Sequence, residues 1–213
     1  MKKSLLIAGL LTASSLFAET KPFIGIDFTN TDVDYTDTYS ITGGSYTYGG
    51  TTYNNSGSVS YNGSDSDSQP TFKAGVILDD SHRVYLRYGA FDGENDAEVK
   101  ITTAHYDYMF DVKNDYDITP YIGAFAGMGK FETYIGDDTG LVYGANIGMV
   151  IPITDNLEFD VSYAYAANDI EVKESVSGLT GTYSGFTFNN FSASAATELK
   201  DFSIFNIGFN YKF

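Results

Sequence analysis

The chain contains no cysteine, and it has only 4 prolines among its 213 residues. The absence of cysteine excludes the disulfide scaffold that many small exported proteins use. Beyond the N-terminal 18 residues, no apolar run reaches the roughly 20 residues that a transmembrane helix needs. Stability must therefore come from packing and from hydrogen bonds that close within the protein.

Cations are also scarce, because 12 Lys and Arg residues face 28 Asp and Glu residues and leave a formal net charge of −16. A chain this acidic repels polyanions, so nucleic acid is excluded as an expected partner. The same charge favours cations. Disorder is not expected, since 16% of the residues are aromatic.

The N-terminus has the pattern of a secretory signal peptide. Lys2 and Lys3 form a positive region, Leu5 to Leu11 form a short apolar core, and Ala18 ends a segment typical of a signal-peptidase site. The alternative, a membrane anchor, is disfavoured because the apolar core is too short to span a bilayer. We expect residues 1–18 to be a cleaved signal peptide and residues 19–213 to form one domain.

Alternation of apolar and polar residues with a period of two runs along most of this domain, which predicts strands. In the last strand the apolar residues at odd positions from Phe205 to Phe213 alternate with the residues at even positions from Asn206 to Lys212. In LEFDVSYAYA the apolar residues at odd positions from Leu157 to Tyr165 alternate with the polar residues at even positions from Glu158 to Ser162. The pattern predicts eight strands near 22–29, 71–79, 83–91, 99–112, 120–131, 141–153, 156–168 and 202–213. The prolines fit this assignment because all lie at strand edges.

The connections between these strands alternate in length. Short ones follow the second, fourth and sixth strands, and four longer ones cover about 30–70, 92–98, 132–140 and 169–201. Transmembrane barrels have short periplasmic turns and longer extracellular loops, so we expect these four to be extracellular. The first contains Gly49-Gly50, a pair typical of a hairpin turn, so the first two strands are expected to extend beyond the membrane as a surface hairpin. We interpret its stretch NGSDSDSQ as a flexible linker.

A sheet can span a bilayer only if it closes on itself, with apolar residues outside. A soluble periplasmic or secreted β-barrel would show the same alternation with its faces exchanged. The aromatic residues toward the strand ends and the polar, acidic loops favour the membrane. The predicted fold is all-β, an antiparallel up-and-down transmembrane barrel of eight strands in the outer membrane of a Gram-negative cell.

The C-terminal sequence FNIGFNYKF resembles the terminal strand signal of bacterial outer-membrane barrels. The residues that match are Ile207, Phe209, Tyr211 and Phe213. With the signal peptide, the loop rhythm and phrases such as PYIGAFAGMG, the chain is similar to the small porin-like group that contains OmpX, the Opa proteins and the OmpA transmembrane domain. The resemblance implies that the barrel-assembly machinery reads these four residues, and that lipid and lipopolysaccharide surround the barrel.

The polar face of the strands predicts a charged lumen. Inward residues are expected to be Asp27, Lys73, Arg87, His105, Asp107, Asn146, Glu158, Asp160, Asn206, Asn210 and Lys212. An eight-stranded barrel is only wide enough for side chains to fill it, so buried charges must pair. Lys73 and Arg87 are the expected partners of Asp107, Glu158 and Asp160, and a narrow cation path is the alternative to a purely structural core.

The sequence suggests two kinds of chemical site. The loop carboxylates could attract Ca²⁺ or Mg²⁺, because these ions prefer oxygen ligands; they are Asp65, Asp67, Asp92, Glu94, Asp96, Asp137 and Asp138. His105 would suit a lipid hydrolase, but AHYDYMF has no serine at the spacing of a lipid A deacylase, and no other catalytic motif is present. We expect neither an enzyme nor a cofactor.

Two functions remain open from the sequence. The first is a structural or surface-interaction barrel that presents acidic, Tyr-rich loops outside the cell. The second is a narrow pore or an OmpW-like transporter of small solutes, because inward Gly123, Gly127, Gly144 and Gly148 could leave a passage. Tyr85, Arg87, Tyr121 and Phe125 could equally fill that space.

Overall fold

The computed structural model describes residues 20–54, 56–92, 97–112, 117–133 and 136–213. The predicted signal peptide 1–18, Glu94 and Asp96 lie outside the described residues. No helix within the described ranges is long and apolar enough to cross a membrane.

Within these described ranges, ten strands make up one antiparallel sheet. They are β1 (Thr20–Tyr48), β2 (Thr51–Tyr53), β3 (Gly57–Leu78), β4 (His82–Asp92), β5 (Glu98–Met109), β6 (Thr119–Thr133), β7 (Gly136–Pro152), β8 (Leu157–Asn168), β9 (Glu171–Tyr183) and β10 (Phe186–Lys212).

The sheet closes because its first and last long strands pair. The order is β2-β1-β3-β4-β5-β6-β7-β8-β10-β9, and β1 also pairs with β10. Phe23 lies opposite Lys212 and Phe28 opposite Ile207 in that closing ladder. Eight strands, β1, β3 to β8 and β10, therefore form a ring, which confirms the predicted up-and-down barrel of eight strands.

Side chains alternate across the wall of this ring. The outward positions carry large apolar side chains with wide exposure, such as Phe28 (61%) and Ile147 (62%). The C-terminal strand follows its predicted phase, because Phe205, Ile207, Phe209 and Tyr211 are exposed while Asn206 and Asn210 are buried. Paired backbone groups inside and apolar residues outside are the requirements of a sheet surrounded by lipid.

Three of the four predicted loops are mostly strand, because segment 132–140 holds the end of β6 and the start of β7. Segment 30–70 continues β1 to Tyr48 and begins β3 at Gly57, and segment 169–201 contains β9 and much of β10. The flexible-linker interpretation of NGSDSDSQ is wrong, since Asn62 to Gln69 pair with Thr36 to Thr29 in register. Cross-strand side-chain hydrogen bonds support this polar ladder, as between Thr36 and Asn62 (2.9 Å) and between Ser40 and Ser58 (2.9 Å).

These extensions form a second structural unit, which we call the protruding sheet: residues 34–53, 57–64, 171–183 and 186–198. It rises from the end of the ring opposite to Thr20 and Phe213, because Thr20 pairs with Leu78 and β1 then runs away from that end to Tyr48. The predicted hairpin turn at Gly49-Gly50 is confirmed, with φ of 57° and 81°. We call the end that carries the protruding sheet the protruding end and the other the terminal end.

Candidate functional site

The candidate site is the interior of the ring, where the inward positions bring polar and charged side chains together. The buried charged residues there are Asp27, Lys73, Arg83, Asp107, Glu158 and Asp160. His105, Asn146, Asn206 and Asn210 are buried among them. Arg87 and Lys212 keep 12% and 18% of their side chains exposed.

Asp160 on β8 is the centre of the ion network. Its Oδ2 lies 2.9 Å from Lys73 Nζ and 2.8 Å from Arg83 Nη1. Tyr121 Oη donates to Oδ1 at 2.8 Å, and Asn210 Nδ2 donates to Oδ2 at 3.2 Å. A buried carboxylate is stable only when such partners compensate its lost hydration.

Arg83 is the residue that the sequence prediction missed. Its side chain is fully buried and joins two carboxylates, since Nη2 lies 2.7 Å from Asp107 Oδ2 while Nη1 contacts Asp160. Its guanidinium also packs over the rings of Tyr121 (4.3 Å) and Tyr85 (5.2 Å). Arg83 shares the inward phase of Tyr85, so the alternation contained this signal, although Arg83 stood at the edge of the predicted strand.

Lys73 and Arg87 both contact Asp27, which was not among their predicted partners. Lys73 contacts Asp27 (2.8 Å) as well as Asp160. Arg87 lies 3.5 Å from Asp27 and donates to Thr29, Thr71 and Asn206. Of the three predicted partners of Lys73 and Arg87, Asp160 does contact Lys73. The other two pair elsewhere, Asp107 with Arg83 and Glu158 with Lys212.

Glu158 belongs to a separate pair nearer the terminal end, where Lys212 Nζ lies 2.6 Å from Glu158 Oε1. In the central network, the cations Lys73, Arg83 and Arg87 balance the anions Asp27, Asp107 and Asp160 in formal charge. A neutral, mutually bonded set of this kind fills space and gives a passing ion no uncompensated charge to bind.

The inward glycines make room for large neighbours. A Cβ on Gly148 would lie 2.5 Å from the Tyr121 ring, and one on Gly144 would lie 2.7 Å from Phe125. A Cβ on Gly123 would lie 2.0 Å from Asp107 Oδ1. At these three positions the space is occupied by side chains and is not a passage.

Apolar clusters cover the network on both sides. At the terminal end Phe23, Ile77, Tyr85, Met109, Tyr121 and Val150 pack together. Toward the protruding end a larger cluster, the apolar plug, includes Val33, Phe91, Phe131, Val142, Ile170 and Phe202. Ile170 and Phe202 are 0% exposed, so both side chains are packed on all sides.

A small cavity of about 50 Å³ lies beside the network and the plug, lined by polar residues such as Thr29, Thr71 and Arg87 and by apolar ones such as Phe125 and Val142. His105 also lines it. The imidazole is stacked between Tyr85 (4.5 Å) and Phe125 (4.6 Å), and its Nε2 lies 2.8 Å from Thr103 Oγ1. The prediction that His105 is not catalytic stays a prediction.

The loop carboxylates act mainly as local acceptors. Asp67 Oδ2 accepts from Asp92 N (3.2 Å), Asp138 Oδ2 accepts from Glu171 N (2.9 Å), and Asp137 lies 3.4 Å from Lys130 Nζ. Among the described residues no group of three or more His, Asp or Glu side chains could hold a metal ion. That the loop carboxylates attract Ca²⁺ or Mg²⁺ stays a prediction.

The comparisons with known proteins agree with this geometry. No protein-family model and no curated protein matches the chain. Among solved structures, the outer membrane protein OprG from Pseudomonas aeruginosa superposes with a TM-score of 0.57 at 17% identity, covering 91% of this chain and 96% of OprG.

Two further outer-membrane structures match less closely. Neisserial surface protein A has a TM-score of 0.45 at 18% identity, covering 87% of this chain and 97% of its own. AlkL, solved in DMPC lipid bilayers, has a TM-score of 0.49 at 14% identity, covering 92% of each chain. At 17% identity the OprG match establishes the fold alone. The chain thus has the fold of the eight-stranded outer-membrane β-barrels, the fold that it shares with OprG.

Proposed function

We propose that the chain is an integral outer-membrane barrel with a closed lumen, which presents the protruding sheet outside the cell as a surface for interaction. The observation that carries the proposal is the division of the molecule into two parts. The ring has an apolar outer wall suited to lipid, whereas the protruding sheet has an outward face of small polar residues suited to water.

The change of surface is visible along single strands. On β3 the outward residue Phe72 is 56% exposed within the ring, but Ser58, Ser60, Asn62 and Ser64 hold the outward phase beyond it. A membrane therefore fits around the ring and ends below the protruding sheet. The terminal end, with its short turns at 79–81 and 153–156, would then face the periplasm.

The closed lumen favours interaction over transport. The neutral network and the apolar plug fill the interior, and the cavity beside them is small. A narrow pore remains the second candidate, and the cavity is the observation in its favour. Lipid, lipopolysaccharide and, during assembly, the barrel-assembly machinery are the partners that this location implies.

Location and exposure can be tested together because the chain has no cysteine. A Ser60→Cys variant should fractionate with outer membranes, change its gel mobility on boiling and react with a membrane-impermeant maleimide on intact cells. A cysteine at Thr154, in a turn of the terminal end, should react only after the outer membrane is opened. Recovery in the soluble periplasm, or the reverse labelling pattern, would contradict the proposal.

A further inference from the structure

The inward face of the protruding sheet is an open apolar surface. It lies above the apolar plug, because Val33 of the plug and Tyr39 occupy the same phase of β1. Residues from all four neighbouring strands line a trough of about 730 Å³ there. We define the apolar trough by the inward-facing residues Tyr39, Ile41, Val59, Val176, Ala193 and Ala195.

Several of these side chains are well exposed: Tyr39 by 45%, Val59 by 47% and Val176 by 42%. The other face of the same strands carries Ser40, Ser58, Ser60, Ser175 and Ser194. Hydroxyl hydrogen bonds join some of them across the strands, as between Thr38 and Ser60 (3.0 Å). The exposed side chains of Tyr39, Val59 and Val176 therefore share the inward face, and contiguous exposed apolar surface of this kind marks an interaction site.

Carboxylates border the apolar trough. Val59 and Asp65 share the inward phase of β3, Asp37 is inward on β1, and Glu174 is inward on β9 opposite Ala195. The sequence of the protruding sheet contains a single cation, Lys173. Lys173 takes the outward phase and lies 2.6 Å from Glu171, so it does not neutralise the inward face.

We propose that the apolar trough binds a cationic amphipathic peptide segment of a partner protein, with its apolar side on Val59 and Val176 and its lysine or arginine residues toward Glu174 and Asp37. This inference rests on the proposed function, which puts the trough outside the cell. Charge complementarity selects the occupant: a second copy would bring the same carboxylates, and lipopolysaccharide phosphates would meet like charge.

The apolar part of the inference can be tested by removing two valine side chains from the inward face and, in a control, adding two valine side chains to the outward face. The probe is a fluorescein-labelled amphipathic helix-forming peptide of leucine and lysine, titrated against the full chain in phosphatidylcholine nanodiscs, with empty nanodiscs subtracted. Val59→Ser with Val176→Ser should weaken binding about tenfold or more. The matched control, Ser60→Val with Ser64→Val, adds the same groups to the opposite face and should leave the affinity within about twofold.

The charged half is tested in the same assay. Glu174→Gln should weaken binding several-fold, whereas Glu171→Gln, on the outward face of the same strand, should not. Raising NaCl from about 50 to about 500 mM should weaken binding by about tenfold, because screening shortens the reach of the carboxylates. A peptide with glutamate in place of lysine should not bind. Each variant is checked for its boiling-dependent gel shift, so that misfolding is recognised.

Absence of binding above empty nanodiscs, or equal losses in the inward and outward variants, would overturn the inference. The maleimide labelling of Ser60→Cys separates this failure from failure of the proposed function. If the cysteine is labelled on intact cells and the peptide does not bind, only the apolar-trough inference falls. If the cysteine is not labelled, the surface role itself is wrong.

Discussion

Arg83 and Asp160 form an ion pair inside the barrel, with Nη1 2.8 Å from Oδ2 and side-chain exposures of 0% and 3%. The same guanidinium also holds Asp107 at 2.7 Å. Two buried carboxylates thus depend on one arginine, and removal of that arginine has consequences that a surface pair would not have.

Replacing Arg83 with Ala should destabilise the barrel by about 3–5 kcal/mol, because it leaves the buried Asp107 carboxylate without its cation and Asp160 with Lys73 alone. Urea unfolding in lipid vesicles, followed by the boiling-dependent gel shift, measures the change. Lys21→Ala removes the exposed pair with Asp80 (2.7 Å) and should cost no more than about 1 kcal/mol. Similar costs for the two variants would mean that the network is not buried.

Ile147→Arg should destabilise the folded barrel by about 2–4 kcal/mol if the outer wall faces lipid near the bilayer midplane. Ile147 is 62% exposed, so a water-facing wall would tolerate the same change. Ser60→Arg, on the outward face of the protruding sheet, is the control and should change the unfolding free energy by less than about 0.5 kcal/mol. Equal tolerance at both positions in vesicles would remove the membrane interpretation.

Gly148→Ala should cost about 1–3 kcal/mol, because the new Cβ would lie 2.5 Å from Tyr121 and 2.6 Å from the backbone oxygen of Val161. Gly57→Ala offers a matched control, since a Cβ there has no atom within 4 Å. That variant should be neutral or slightly stabilised, as the unfolded chain loses freedom. The difference is measured by the same urea titration, and a neutral Gly148→Ala would show that Tyr121 can move aside.

The unmodified protein should show little or no conductance in planar bilayers, because side chains fill the interior of an eight-stranded barrel. Phe202→Ala with Arg87→Ala removes one side chain from the apolar plug and one from the network, and should raise the frequency of conducting events. Phe209→Ala with Lys130→Ala makes the same kinds of change outside the lumen and should not. A large, steady conductance in the unmodified protein would promote the pore.

The facing of most side chains in the ring could be predicted from the sequence, because side chains along a strand alternate between its two faces with a period of two residues. The phase of FSIFNIGFNYKF determined that Phe209 faces out and Asn210 faces in before any contact was known. The corresponding alternation in the other strands assigned Asp27, Lys73, His105 and Asp160 to the interior. Arg83 had the correct phase too, but it stood beside a turn, where strand boundaries are least certain.

The strand character of segment 62–69 was not predicted, because its composition is that of a loop. SVSYNGSDSDSQ is rich in Ser, Asn, Asp and Gly, which favour turns when no partner is present. Here β1 lies alongside and pairs with Gly57 to Leu78 residue by residue, so tertiary pairing overrides local preference. The apolar trough depends on that pairing, since its four strands come from opposite ends of the chain.

By itself, then, the sequence determined which segments of the ring are strands and which face of each of these strands is apolar, because alternation is a local property of the chain. Only the tertiary structure decided which charges meet. Arg83 and Asp107 face each other through adjacent strands, and Lys73 reaches Asp160 across the lumen. Those distances depend on strand register and on closure of the ring, and neither is encoded in the spacing of residues along one strand.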